Sequence, residues 1–141
     1  MSDTRRDFIK KTVAGTVGLA AGSSFMSARA SGYRRIMGSN DRIGIAVIGV
    51  NSRGAALART FANQSGVDIR YICDVDTSAL EKTVNLVNST NGQIPKGIKD
   101  FRTILDDKNL GAIVIAMPDH WHAYATILGC QAGKHVYVEK P

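Results

Sequence analysis

The first residues whose types and spacing could do chemistry are Gly49-Val50-Asn51-Ser52-Arg53-Gly54. They occupy a G-x-G-x-x-G frame, with Asn51 in the place of the middle glycine. In such a turn the first glycine permits a sharp bend and the last permits close packing of helix on strand. Backbone N–H groups at the following helix start can then receive a phosphate. Asn tolerates positive φ better than most residues, so the frame stays feasible at Asn51. Ser52 would present its backbone to the same anion. Arg53 would reach a pyrophosphate or simply solvent.

An acid lies at the matching distance. Asp74 is 20 residues beyond Gly54, and a carboxylate there accepts hydrogen bonds from adenosine ribose hydroxyls and repels a 2′-phosphate. The pair of signals predicts a dinucleotide site that favours NAD over NADP. Asp76 reads as the cap of the next helix. Two further groups stand at predicted strand ends, Met117-Pro118-Asp119-His120-Trp121-His122 and Glu139-Lys140-Pro141. Histidines at i and i+2 do not share a helix face, which argues against a helical metal pair. For His120 and His122, bordering a ligand and ordinary exposure or helix-start roles stay equally open. A cation at Lys140 can hydrogen-bond a substrate hydroxyl and stabilise developing alkoxide charge. A surface ion pair with Glu139 is the alternative.

These groups need elements to position them. Ile43 to Ile48 is a continuous apolar run, as expected of a parallel strand covered on both faces. Ala55 to Asn63 has helical spacing, and Val67 to Cys73 is a second strand. Asp76-Thr77-Ser78 starts a helix over Ala79 to Val87. Asn88 to Gly97 reads as loop, Phe101 as the end of a short third strand, and Thr103 to Asp107 as a helical turn. Ala112 to Ala116, Ala123 to Ala132 and His135 to Val138 follow as strand, helix and strand. Alternation at this spacing predicts an α/β chain with a parallel sheet.

The chain has 141 residues, room for one domain. Residues 1–30 read as a twin-arginine signal peptide. Arg5-Arg6 and Lys10-Lys11 precede an apolar Gly/Ala-rich stretch from Thr12 to Met26, and Ala28-Arg29-Ala30 offers a cleavage site. An amphipathic N-terminal helix is the bland alternative. Residues 31–41 form a polar linker, and 42–141 the nucleotide-binding domain. The twin-arginine form implies the Tat export machinery as a partner and a periplasmic or extracytoplasmic location, membrane-anchored if the leader is kept. Removing residues 1–30 takes five of the 18 Lys and Arg and two of the 12 Asp and Glu, leaving +3. That scattered excess excludes a nucleic-acid surface. Cys73 and Cys130 are expected as buried free thiols, with a disulfide in an oxidising compartment as the alternative, and no metal-ligand spacing includes either.

Taken together the motifs resemble the glucose-fructose oxidoreductase/inositol dehydrogenase/MocA-type (Gfo/Idh/MocA) oxidoreductases. The resemblance runs from about Arg42 to Pro141 and rests on Ala46 to Gly54, Cys73-Asp74-Val75-Asp76, Pro118 to His122 and Ala132 to Pro141. It implies a Rossmann-type doubly wound parallel sheet, incomplete and lacking a C-terminal α+β substrate domain. It implies that Glu139 and Lys140 border the nicotinamide and its ribose, with Lys140 orienting or polarising the substrate oxygen. Pro118 and His122 keep their places in the family's T-P-N-x-x-H loop, while Met117 and Asp119 replace threonine and asparagine. The implied activity is hydride transfer from a sugar, polyol or related carbohydrate to NAD(P) by an exported enzyme, a homo-oligomer when full length. The general base falls in the missing domain, so the fragment alone is expected to be inactive. An NAD-dependent glycosidase on the same fold and a non-catalytic dinucleotide-binding protein are the alternatives.

Overall fold

A computed structural model describes residues 42–141; the expected leader and linker lie outside the described residues. β1 (Ile43–Ile48), the continuous apolar run, is the central strand, and its last five residues are buried. It is followed by α1 (Arg53–Ala62), β2 (Val67–Cys73), α2 (Thr77–Asn91) and β3 (Lys96–Ile98). After a 3-10 turn over Phe101–Ile104 come β4 (Ala112–Ile115), a second 3-10 turn over Asp119–Trp121, α3 (His122–Gln131) and β5 (His135–Val138). The sheet order is β3-β2-β1-β4-β5, with every pairing parallel. The chain winds outward from β1 to β3, then crosses back to β4 on the other side. That reversal beside β1 is the switch point at which open α/β sheets bind ligands.

Two apolar layers cover the sheet. Ile45, Val47, Ile69, Ile72 and Val114 meet Leu57, Ala58 and Ala62 of α1 and Val87 of α2 on one face. Ala46, Ile48, Ile113 and Ile115 meet Phe101, Ile104, Leu105 and Ala125 of α3 on the other. The helices bury narrow stripes because their buried positions recur at helical spacing: Gly54, Leu57, Ala58 and Ala62 in α1, and Ala79, Thr83 and Val87 in α2. Asp76 caps α2 as expected, its Oδ1 accepting from Ser78 N at 2.8 Å.

Register then lines up the strand ends. Ile48 pairs with both Cys73 and Ile115, Cys73 with Ile98, and Ile115 with Val138. The next residues continue the ladder: Gly49 N donates to Cys73 O at 2.8 Å, Ala116 N to Ile48 O at 2.8 Å and Glu139 N to Ile115 O at 2.9 Å. Asp74, Gly49, Ala116 and Glu139 therefore stand in a row along one sheet edge.

Three expectations need correction. The third strand is Lys96–Ile98, overlapping the end of the stretch read as loop, and Phe101 instead opens a 3-10 turn with its ring buried. The strand carries too little apolar sequence to fix its bounds, and Phe101 lies three residues beyond its end. α2 continues to Asn91 and stops at Gly92, four residues past the expected end. Cys130 is exposed, whereas Cys73 is buried as expected. Its helix buries Ala125 and Gly129, and residue 130 falls outside that stripe.

Ile72 is fully buried in the α1–α2 layer, while Ile94 is 77% exposed. Ile72→Ala is expected to cost about 2–5 kcal/mol, and Ile94→Ala no more than about 0.5 kcal/mol. Urea unfolding of the two variants checks this; equal losses would contradict the core described here.

Candidate functional site

The glycine turn is built by what cannot fit there. Gly49 has φ +82°, and a Cβ on it would lie 2.7 Å from Met117 N of the β4 connection. A Cβ on Gly54 would overlap the carbonyl oxygen of Gly49. Both expected glycine roles therefore hold. The frame is feasible with Asn51, as expected, and without its tolerance of positive φ: among the described residues no non-glycine has a positive φ. The bend is confined to Gly49.

Val50 is clamped from two sides. Its N–H donates to Asp74 Oδ2 at 2.6 Å, and its carbonyl accepts from Thr83 Oγ1 of α2 at 3.3 Å. Asp74 Oδ1 also accepts from Asp76 N at 2.9 Å. Asp74 is thus no idle turn residue: it ties the end of β2 to the glycine turn. A carboxylate has about four lone-pair directions, so room remains for ribose hydroxyls. Thr83 was missed by sequence reading. The signal was a polar residue inside the Ala79–Val87 buried stripe, and it is the one buried polar or charged residue among the described residues.

Asn51, Ser52 and Arg53 are exposed at the start of α1. Ser52 makes no side-chain cap, and the first turn holds no acid. First-turn amides have no intrahelical partner, and with the helix dipole they favour an anion. A cleft of about 770 Å³ opens beside them, lined by Gly49, Asn51 and Ser52, by Asp74 and Asp76, by Lys99 to Arg102, and by Ala116 to Pro118 with Trp121. Its volume and these polar groups suit a dinucleotide's adenosine half and pyrophosphate. Lys99, Arg102 and Trp121 are further lining residues that sequence reading did not single out. Arg102 is engaged by Asp100 at 2.6 Å, which holds that carboxyl at about 2, well below its usual range. Cys73 also lines the cleft, but burial pushes its thiol up to about 12, with Asp74 and Asp100 adding to the effect. Its side chain is buried in the core layer beneath the cleft.

Pro118 lines the cleft and Asp119 begins an exposed 3-10 turn. His122 Nε2 lies 2.7 Å from the carbonyl oxygen of Met117. A carbonyl only accepts, so Nε2 carries the proton and the ring braces the loop from the first residue of α3. His122 opens α3 and its ring is satisfied by backbone, as the helix-start reading expects. His120 is exposed and stacks obliquely against Trp121, with ring centroids 6.1 Å apart. Glu139 and Lys140 follow β5 at the same edge. Glu139 pairs with Arg53 rather than only its neighbour: Arg53 Nη2 donates to Oε1 at 3.0 Å, and Tyr137 Oη donates to the same oxygen at 3.0 Å. The Arg53 guanidinium, then the Tyr137 hydroxyl, holds the Glu139 carboxyl below its ordinary value. Lys140 is exposed. Among the described residues no group of three His, Cys, Asp or Glu gathers as a metal site.

Removing the carboxylate by Asp74→Ala leaves the half-buried Val50 amide without its acceptor. The expected loss is about 1–3 kcal/mol of stability even without nucleotide, measured by denaturant titration of the apo protein. Unchanged apo stability would contradict the structural tie.

Comparison with known proteins agrees with this geometry. The model of the "Oxidoreductase family, NAD-binding Rossmann fold" (GFO_IDH_MocA) matches residues 43–141. A glycosyl hydrolase family 109 protein of Shewanella baltica (strain OS185) is 28% identical over 97% of this chain and 33% of its own length. A glycosyl hydrolase family 109 protein 2 of Shewanella sp. (strain ANA-3) is 30% identical over the same shares. The chain thus spans about a third of the length of these relatives. Among solved structures, myo-inositol 2-dehydrogenase from Lactobacillus plantarum superposes with a TM-score of 0.61 at 28% identity, covering 72% of this chain and 29% of that one. Myo-inositol dehydrogenase from Lactobacillus casei, in complex with NAD(H) and myo-inositol, shares the fold with a TM-score of 0.64 at 22% identity, over 71% of this chain and 29% of that one. From the strand order, the glycine turn and the match across residues 43–141, the chain belongs to the Gfo/Idh/MocA oxidoreductase family and carries its NAD-binding Rossmann fold.

Proposed function

We propose that the full-length protein is an exported NAD-dependent oxidoreductase that oxidises a secondary alcohol of a sugar, polyol or related carbohydrate. The observation that carries this reading is the flush sheet edge, where Asp74, the Gly49 turn and Glu139-Lys140 stand in one row. NAD, when bound, supplies the hydride acceptor. Asp74 would hold the adenosine ribose, and the first-turn amides at Asn51, Ser52 and Arg53 the pyrophosphate. Pro118 and Asp119 would border the cofactor from the β4 connection, with His122 bracing that loop. Glu139 and Lys140 serve the other half of the dinucleotide. Lys140 donates a hydrogen bond to the substrate oxygen and stabilises the alkoxide character that develops there. The general base is assigned to a further domain, in keeping with a chain that spans a third of its relatives' length.

The twin-arginine leader supports export through the Tat machinery. A free nicotinamide pool is not expected outside the cytoplasm. A tightly held cofactor, loaded before export and cycled between two substrates, answers that supply problem. Purified full-length protein is then expected to release nucleotide on denaturation; protein without any would count against this part of the reading.

A second reading is favoured by the glycosyl hydrolase family 109 relatives. In an NAD-dependent glycosidase, transient oxidation of a sugar carbon would permit elimination of the aglycone, and re-addition of water with return of the hydride would leave no net redox change. Incubating the full-length protein with NAD and either myo-inositol or a 4-nitrophenyl glycoside separates the two. Accumulating NADH with the polyol supports the oxidoreductase. Nitrophenol release without NADH supports the glycosidase.

In either chemistry Lys140→Ala is expected to lower kcat by about 10²–10³-fold. NAD affinity should fall by about tenfold at most, the loss of one charged hydrogen bond to the nicotinamide half, so the larger effect falls on kcat. Steady-state kinetics with NAD titration tests this, and an unchanged kcat would remove Lys140 from the mechanism.

A further inference from the structure

Arg53 stands in the first turn of α1, where a phosphate ligand is expected, yet its guanidinium is turned to Glu139, 86 residues away at the end of β5. The two ends of this contact differ in burial. The Arg53 side chain is 60% exposed, whereas that of Glu139 is 14% exposed. Two donors converge on one carboxylate oxygen, Arg53 Nη2 and Tyr137 Oη, each at 3.0 Å. Tyr137 is itself held, its ring edge-on to Phe61 of α1 with centroids 6.2 Å apart and an interplanar angle of 83°. α1 therefore grips the end of β5 twice, through Phe61 at its last turn and Arg53 at its first.

This arrangement fixes the carboxylate while leaving Oε2 to accept from something else. Glu139 lies across the Gly49 turn from Asp74 in the strand order β2-β1-β4-β5. A dinucleotide spans the crevice at that turn, with its halves on opposite sides. If Asp74 serves the adenosine half, Oε2 of Glu139 faces the other nucleoside. We infer that the Arg53 guanidinium is a positioning group that acts through Glu139 on the non-adenosine half of the bound dinucleotide, and is not a side-chain ligand of the pyrophosphate. This rests on the reading of Glu139 given above. An exposed ion pair contributes little to folding, so the effect belongs in ligand binding.

The test compares NAD with ADP, which contains the adenosine and pyrophosphate but no second nucleoside. Calorimetric titrations use the full-length protein and its Arg53→Ala, Arg53→Lys, Glu139→Ala and Arg53→Ala/Glu139→Ala variants. A hydrogen bond to a charged group corresponds to about tenfold or more in affinity. Arg53→Ala and Glu139→Ala should each weaken NAD by about that factor and leave ADP within about threefold. Arg53→Lys keeps the charge but loses the planar fork, and should recover part of the loss. The double variant should lose no more than the worse single one, because both act through one carboxylate. Equal weakening of ADP and NAD by Arg53→Ala would make Arg53 a pyrophosphate ligand and overturn the inference. So would losses that multiply in the double variant, or no loss at all. A wild-type protein that binds neither ADP nor NAD would instead overturn the nucleotide site itself.

Discussion

The site depends on the backbone being able to turn at Gly49. A side chain there would meet the backbone of the β4 connection, and the residue sits at φ +82°. Only a glycine meets both demands without strain. Because β1 is central and its neighbours end level with it, this one turn decides where α1 begins and which way its first amides point. Gly54 repeats the demand one step later by letting α1 lie against the carbonyl of Gly49. The position of every other candidate residue is measured from that turn.

Polar ties then hold the turn in shape. Asp74 receives the Val50 amide, and Thr83 donates to the Val50 carbonyl, so the residue after Gly49 is held from β2 and from α2. Asp74 combines two jobs, bracing the loop and presenting a carboxylate to the cleft. Its negative charge disfavours a 2′-phosphate in the same place, which agrees with the NAD-binding character of the family. On the far side of the turn, Arg53 and Tyr137 hold Glu139. The edge is thus organised as two braced carboxylates flanking a glycine turn and an open helix start.

Much of this was legible in the chain. β1 was marked to the residue by its unbroken apolar run, as a buried parallel strand should be, and β2 by a partial alternation. Gly49, Gly54 and Asp74 were visible because their spacing follows from one strand-turn-helix-strand unit. β3 was expected as a short strand but misplaced: Lys96-Gly97-Ile98 has neither the length nor the apolar run to fix its bounds, which only its pairing with Tyr71 to Cys73 reveals. The tolerance of Asn51 for positive φ is not called on, because the turn needs a single left-handed residue and Gly49 supplies it. The Arg53–Glu139 contact and the Thr83 tie join residues 86 and 33 positions apart. No local pattern carries such information; it appears only when the sheet brings α1, α2 and β5 together.

The central claim is that this sheet edge holds NAD with its pyrophosphate on the glycine turn. A crystal structure of the full-length protein with NAD tests it most directly. The account predicts the pyrophosphate on the first-turn amides of α1, the adenosine ribose on Asp74, and the other nucleoside beside Glu139 and Lys140. Phosphates bound away from the Gly49–Gly54 turn, or the two halves reversed across it, would contradict the account.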